Sequence, residues 1–130
     1  MNPQISVVVP VYNVQAFLEP CLASIAAQKM DDFEVWMVDD GSTDGSSGIL
    51  KAWEGKDSRF HVVTRKNGGL SAARNTGLEH CQGRYVAFID SDDVIAADML
   101  KDLWQAAEQS GSGIAVSDME YFDEIGRAHV

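Results

Sequence analysis

The run Asp90-Ser91-Asp92-Asp93 puts three carboxylates within four residues, directly after the apolar stretch 85–89. Ionised carboxylates this close repel one another and require water or a cation. A hard divalent cation, Mg²⁺ or Mn²⁺, takes oxygen ligands and leaves positions open for substrate phosphates. A solvated Asp-rich turn that starts the next helix would use the same residues, and this stretch alone does not separate the two. A second acidic tip, Asp39-Asp40-Gly41-Ser42-Thr43-Asp44, follows the apolar run 33–38. A turn with a helix cap needs only one acid and Gly41. The other acid is surplus and could accept from a base N–H or a ribose hydroxyl, as acids at this place do in dinucleotide folds.

Arg74, with Asn75 beside it, lies one turn into a helix that follows Asn67-Gly68-Gly69. Most exposed arginines on helices are simply solvated. Here the small residues of Gly69-Leu70-Ser71-Ala72-Ala73 allow a ligand close to the helix, where the planar fork of Arg74 could meet a diphosphate. His61, His80 and His129 show no motif spacing and read as structural or incidental.

The elements that must position these groups follow from pattern and turn chemistry. Ile5–Val11 is β-branched and reads as a strand that Pro10 brings to its end. Asn13 can cap a helix over 14–28, with Phe17, Cys21, Leu22 and Ile25 on one face. Strand 33–38 ends at Asp39-Asp40-Gly41; Ser42, Thr43 and Asp44 offer caps for a helix over 46–53. Strand Phe60–Thr64, the turn Asn67-Gly68-Gly69, helix 71–81 and strand 85–89 come next. Helix 97–110 then turns Leu100, Leu103, Trp104 and Ala107 inward, and 114–116 opens a fifth strand after Gly111-Ser112-Gly113. This alternation predicts an α/β fold, a parallel or mixed sheet flanked by helices. Ligands of such sheets bind beyond the carboxyl ends of the strands, where strand order reverses. All four unusual segments, Pro10-Val11-Tyr12-Asn13 included, fall at that edge.

Composition narrows the classes. The chain of 130 residues can bury one core, so residues 1–130 are expected to form one domain or part of one. Ten basic against twenty acidic residues give a net charge of −10, which argues against a nucleic-acid footprint. No apolar run reaches the ~20 residues of a bilayer span, and the N-terminus lacks a signal-peptide layout. Cys21 and Cys81 lack metal spacing and read as reduced core thiols, which fits a cytoplasmic setting. The phosphate-binding glycine fingerprint is missing after the first strand, where Asn13 stands, so a nicotinamide or flavin dinucleotide is not expected. No phosphate loop with its lysine is present, which disfavours an ordinary ATPase or kinase.

In sum these segments resemble the N-terminal part of a family 2 glycosyltransferase with the GT-A fold, a Rossmann-like sheet. The resemblance is carried by Val7-Val8-Val9-Pro10-Val11-Tyr12-Asn13, by Val38-Asp39-Asp40-Gly41-Ser42-Thr43-Asp44-Gly45-Ser46, by Asn67-Gly68-Gly69-Leu70-Ser71-Ala72-Ala73-Arg74-Asn75-Thr76-Gly77 and by Phe88-Ile89-Asp90-Ser91-Asp92-Asp93. It implies a nucleoside diphosphate sugar donor, most often a UDP-sugar, and inverting transfer to a carbohydrate or lipid-linked acceptor, commonly in cell-surface polysaccharide synthesis. It implies that Pro10, Val11, Tyr12 and Asn13 line the nucleoside pocket and that Asp40, with Asp39 beside it, holds the uracil edge. Gly69 and Arg74 would lie near the nucleotide. Asp90-Ser91-Asp92 matches the Asp-X-Asp motif, with Asp90 towards the ribose, Asp92 as ligand of Mn²⁺ or Mg²⁺ and Asp93 either as a second ligand or just behind the ligands.

The resemblance also implies a general base beyond the fifth strand, and no segment here matches it; Asp118, Glu120, Asp123 and Glu124 carry no such motif. A donor-binding half of a longer protein is therefore expected, with the acceptor half missing. That protein would be cytoplasmic, at the inner face of the membrane. The competing readings are a non-catalytic nucleotide-sugar-binding module, a nucleotidyltransferase-like domain and a plain interaction domain. The first is disfavoured by the intact acid motif, the second by the absence of a basic glycine-rich loop after the first strand, and the third by the polar character of the unusual residues.

Overall fold

A computed structural model describes residues 2–110 and 121–124. Along the chain these form β1 (Ile5–Val11), α1 (Gln15–Ala26), β2 (Phe33–Asp39), α2 (Ser46–Lys56), β3 (Phe60–Thr64), α3 (Leu70–His80), β4 (Tyr85–Phe88), α4 (Met99–Ser110) and β5 (Tyr121–Glu124). The strands make one sheet in the order β3-β2-β1-β4-β5. β1 to β4 are mutually parallel, with Val8 opposite both Trp36 and Phe88, while β5 runs antiparallel to β4.

Every residue of β1 is buried, because both faces of the sheet are covered. Ile5, Val7, Val9 and Val11 pack with Leu18, Cys21, Leu22 and Ile25 of α1, Leu50 and Trp53 of α2 and Leu100, Leu103 and Ala107 of α4. The alternate side chain Val8 packs with Val38, Val86, Phe88 and Ala73 of α3 on the opposite face. A strand buried on both sides reads as an unbroken apolar run, and each large side chain so covered contributes about 1.5–3 kcal/mol. α3 lies unusually close to the sheet: a Cβ on Gly77 would stand 2.4 Å from Val8 Cγ1. After β3 the chain returns past β1 to place β4 on its other side, so strand order reverses between β1 and β4.

Some local expectations give way. α1 starts at Gln15 behind Val14, and Asn13, with φ of 50°, does not cap it. Phe17 is 59% exposed; the inward face is Leu18, Cys21, Leu22 and Ile25, an i, i+3, i+4, i+7 set from which Phe17 is turned by about 100°. α2 runs on to Lys56 and α4 begins at Met99. The expected strand 114–116, the Gly111-Ser112-Gly113 turn, Asp118, Glu120 and His129 lie outside the described residues. His61 and His80 both stack on Trp36, with ring centroids 4.6 and 4.8 Å away, which is a packing role. Cys21 and Cys81 are free thiols, each pushed up to about 12 chiefly by burial. No helix among the described residues is long and apolar enough to cross a membrane.

Candidate functional site

A cleft of about 540 Å³ opens at the carboxyl edge of the sheet, beside the point of strand reversal. Pro10, Val11 and Tyr12 enter it from the end of β1, Asp40 from the end of β2, and Asp90, Ser91 and Asp92 from the end of β4. The β3–α3 connection contributes Asn67 and Gly69, and the first turn of α3 contributes Leu70 and Ala73. Tyr12 and Leu70 are each about half exposed and give the mouth an apolar, partly aromatic character. Cofactor and substrate sites commonly combine a concave apolar lining with a few convergent polar groups.

The two acids at the end of β2 are both buried and both occupied. Asp39 accepts from Ser42 N at 2.9 Å through Oδ1 and from the Ser47 hydroxyl through Oδ2, so it closes the turn into α2. Asp40 accepts from Gly68 N at 3.0 Å and Gly69 N at 2.9 Å, and from Asn67 Nδ2 at 3.2 Å. Arg65 completes the set as an ion pair, its Nε 3.0 Å from Asp40 Oδ1. A carboxylate offers about four lone-pair directions, and here three donated hydrogen bonds and one cation occupy them. The next residue is Gly41, whose φ of +81° suits glycine and whose Cβ would meet Asn67 N at 2.9 Å. The surplus acid therefore has an internal task, to hold the Asn67-Gly68-Gly69 segment against β2. Arg65 drew no attention in the sequence. Its signal was indirect: a buried acid needs a countercharge, and Arg65 is the first cation after β3.

The acids of the β4 end differ. Asp90 is half-buried, Asp92 and Asp93 are exposed, and one carboxylate oxygen from each lies within 4.8 Å of the others. Asp93 N donates to Asp90 O at 3.0 Å, a tight turn that folds the acids back on one another. Burial raises the pKa of the Asp90 carboxyl, Asp93 and Asp92 add to the rise, and Arg74 opposes it. Arg74 Nη2 lies 3.7 Å from Asp90 Oδ1, so the helix-borne cation reaches an acid of the cleft without lining the cleft itself. Beneath them the Cys21 thiol donates to Asp90 O at 3.5 Å. Three hard oxygen donors, two of them open to solvent, suit a small divalent cation such as Mg²⁺ or Mn²⁺.

Of the residues expected from sequence, Pro10, Val11, Tyr12, Asp40, Gly69, Asp90, Ser91 and Asp92 line this one cleft. Asn13 stands outside it. Its Oδ1 accepts from Thr43 N at 2.8 Å and Asp44 N at 3.3 Å, tying the β1–α1 loop to the β2–α2 loop. It lines a neighbouring hollow with Phe17 and Asp44. Asp93 faces a further hollow of about 290 Å³ that it shares with Asp90 and Val94.

The chain is similar to several known proteins. The Glycosyl transferase family 2 model matches residues 6–128. A poly(ribitol-phosphate) beta-glucosyltransferase of Bacillus spizizenii is 35% identical over 121 residues, covering 90% of this chain and 19% of that protein. The structure of S. aureus TarS residues 1–349 in complex with UDP-GlcNAc superposes with a TM-score of 0.79 at 35% identity, over 85% of this chain and 33% of that one. The mannosyltransferase PcManGT of Pyrobaculum calidifontis, in complex with GDP-Man and Mn²⁺, gives 0.76 at 28% identity, over 88% of this chain and 35% of that one. The chain spans 18–42% of the length of four curated relatives that are 35–43% identical to it.

Proposed function

The chain belongs to glycosyl transferase family 2, and on that premise we propose that it is the donor-binding part of a metal-dependent glycosyltransferase that takes a UDP-sugar and transfers the sugar, with inversion, to a hydroxyl of a carbohydrate or lipid-linked acceptor. One observation carries the proposal: a clustered, solvent-open set of carboxylates borders a cleft at the strand reversal, opposite apolar and backbone groups suited to a nucleoside. TarS in complex with UDP-GlcNAc and the mannosyltransferase in complex with GDP-Man and Mn²⁺ support this reading. The poly(ribitol-phosphate) beta-glucosyltransferase of Bacillus spizizenii supports a polymer as the acceptor; the reading sets the reaction in cell-surface polysaccharide synthesis, in the cytoplasm at the inner face of the membrane.

In this reading the nucleoside lies against Pro10, Val11 and Tyr12, with Asn13, Asp39 and Asp40 shaping that side and the Gly69 backbone closing it. The ribose turns towards Asp90 and Ser91. Asp92 and Asp93 would hold Mn²⁺ or Mg²⁺, which when bound neutralises the charge gathering on the departing diphosphate. Arg74 supplies a fixed cation beside the same charge, and through Asp90 it keeps the acid cluster from being wholly anionic. The proton of the acceptor hydroxyl needs a general base, which this reading places in the rest of the protein.

Isothermal titration with UDP, with and without Mn²⁺, and with GDP and ADP as controls, tests the proposal. Binding should require Mn²⁺ and favour UDP by about tenfold, a difference of ~1.4 kcal/mol. Affinity indifferent to Mn²⁺, or no nucleotide binding at all, would overturn it.

A further inference from the structure

We propose that Arg65 is a positioning residue for the donor: without touching it, the guanidinium locks the Asn67-Gly68-Gly69 wall of the cleft to Asp40 and to α3. The inference rests on the donor-site reading above. Arg65 is absent from the residues lining the cleft, yet its contacts converge on those that do. Its Nε lies 3.0 Å from Asp40 Oδ1 and donates to Lys66 O at 3.1 Å. Its Nη1 donates to Ala72 O at 3.0 Å and to Thr76 Oγ1 at 2.6 Å, both on α3. Its backbone N–H donates to Asp39 O at 2.9 Å. One side chain thus joins the β2 tip, the β3–α3 turn and the first two turns of the helix that carries Ala73 and Arg74.

The fit leaves little room. A Cβ on Gly68 would stand 2.5 Å from Arg65 Nη2, so the guanidinium occupies the space beside the glycine. The side chain of Asp40 is only 4% exposed, and a buried carboxylate stripped of its countercharge is costly, so Arg65 and Asp40 stand or fall together. A lysine would return the charge to Asp40 but, as a single point donor, could not also span Ala72 and Thr76. An ion pair serving stability alone could sit anywhere in the fold. This one holds the two backbone N–H groups of Gly68 and Gly69 that fix the nucleoside side of the cleft, while the acids of the diphosphate side hang from another strand. Loss of Arg65 should therefore weaken a nucleotide more than a bare diphosphate.

The experiment compares wild type, Arg65→Gln, Arg65→Lys and Gly68→Ala by titration in Mn²⁺ with two probes, UDP and inorganic pyrophosphate, with a thermal melt of each variant. Arg65→Gln should weaken UDP about tenfold and pyrophosphate less than about twofold, with Arg65→Lys recovering part of the loss. Gly68→Ala keeps every charge but pushes the fork aside, so it should reproduce the pattern of Arg65→Gln. Equal loss for both probes, or full UDP affinity in a folded Arg65→Gln protein, would overturn the inference. Should Arg65→Gln not fold, Arg65→Lys and Gly68→Ala decide by the same ratio. Wild-type protein that fails to bind UDP overturns the donor site and the inference together, whereas variants with wild-type selectivity in a UDP-binding protein overturn the inference alone.

Discussion

Two acidic tips stand side by side at the carboxyl edge of this sheet, and they are built for opposite purposes. At the end of β2, Asp39 and Asp40 are buried and approached by backbone amides, a hydroxyl, an amide side chain and a guanidinium. At the end of β4, Asp92 and Asp93 are open to solvent and crowd Asp90, with Arg74 at 3.7 Å. The first pair spends its charge on the protein itself and shapes a wall. The second leaves its charge uncompensated, and its members repel one another. Residue type and position on the fold are nearly the same, so what separates a scaffold acid from an open one is the number of donors already pointing at it.

That contrast is open to attack by substitution. The largest effect is expected at Asp40: Asp40→Ala leaves the Gly68 and Gly69 amides and Arg65 without their acceptor and should cost roughly 3 kcal/mol of folding stability, read by chemical denaturation. It should also weaken UDP more than pyrophosphate; equal losses would mean that this acid does not govern the base side of the cleft. Asp92→Asn comes next. It keeps the shape and removes a charge, so the melting temperature should hold or rise slightly, while Mn²⁺-dependent UDP binding falls by about 100-fold, ~2.7 kcal/mol. Wild-type UDP affinity in this variant would refute the assignment of Asp92 as a ligand.

The smallest effect is read in pH. Asp90 is raised by its burial and its acidic neighbours, whereas Asp57, distant from the cleft, is lowered chiefly by its hydrogen bond from Arg59. The signs are opposite. Asp57 contributes stability above the ordinary Asp range that is lost as pH falls through its lowered folded value; Asp90 favours the fold when protonated, and that contribution is lost as pH rises through its raised folded value. Carboxyl-detected NMR titration should place Asp90 above the ordinary Asp value and Asp57 below it. Both titrating together would remove the electrostatic half of the contrast.

Much of the fold was legible because it depends on local pattern. β-Branched runs with both faces covered, polar punctuation after each strand and helical spacing of apolar residues gave β1 to β4 and α1 to α4 to within a few residues. The misreadings were one-step errors of geometry: Phe17 for Leu18, which differ by about 100° around a helix, and Asn13 as a cap when its positive φ turns it towards Thr43 and Asp44. Antiparallel β5 escaped for another reason, since four residues carry no periodicity to speak of and the direction of a strand depends on its partners.

By itself, then, the sequence determined the elements, the edge at which the unusual residues gather and the family to which the chain belongs, because periodicity, turn residues and motif spacing are properties of neighbours along the chain. Only the tertiary structure decided which acids face solvent and which are spent inside. The difference between Asp40 and Asp92 lies in donors that come from other parts of the chain, Arg65 and the Gly68-Gly69 amides above all, and no spacing along one strand records which distant N–H will arrive.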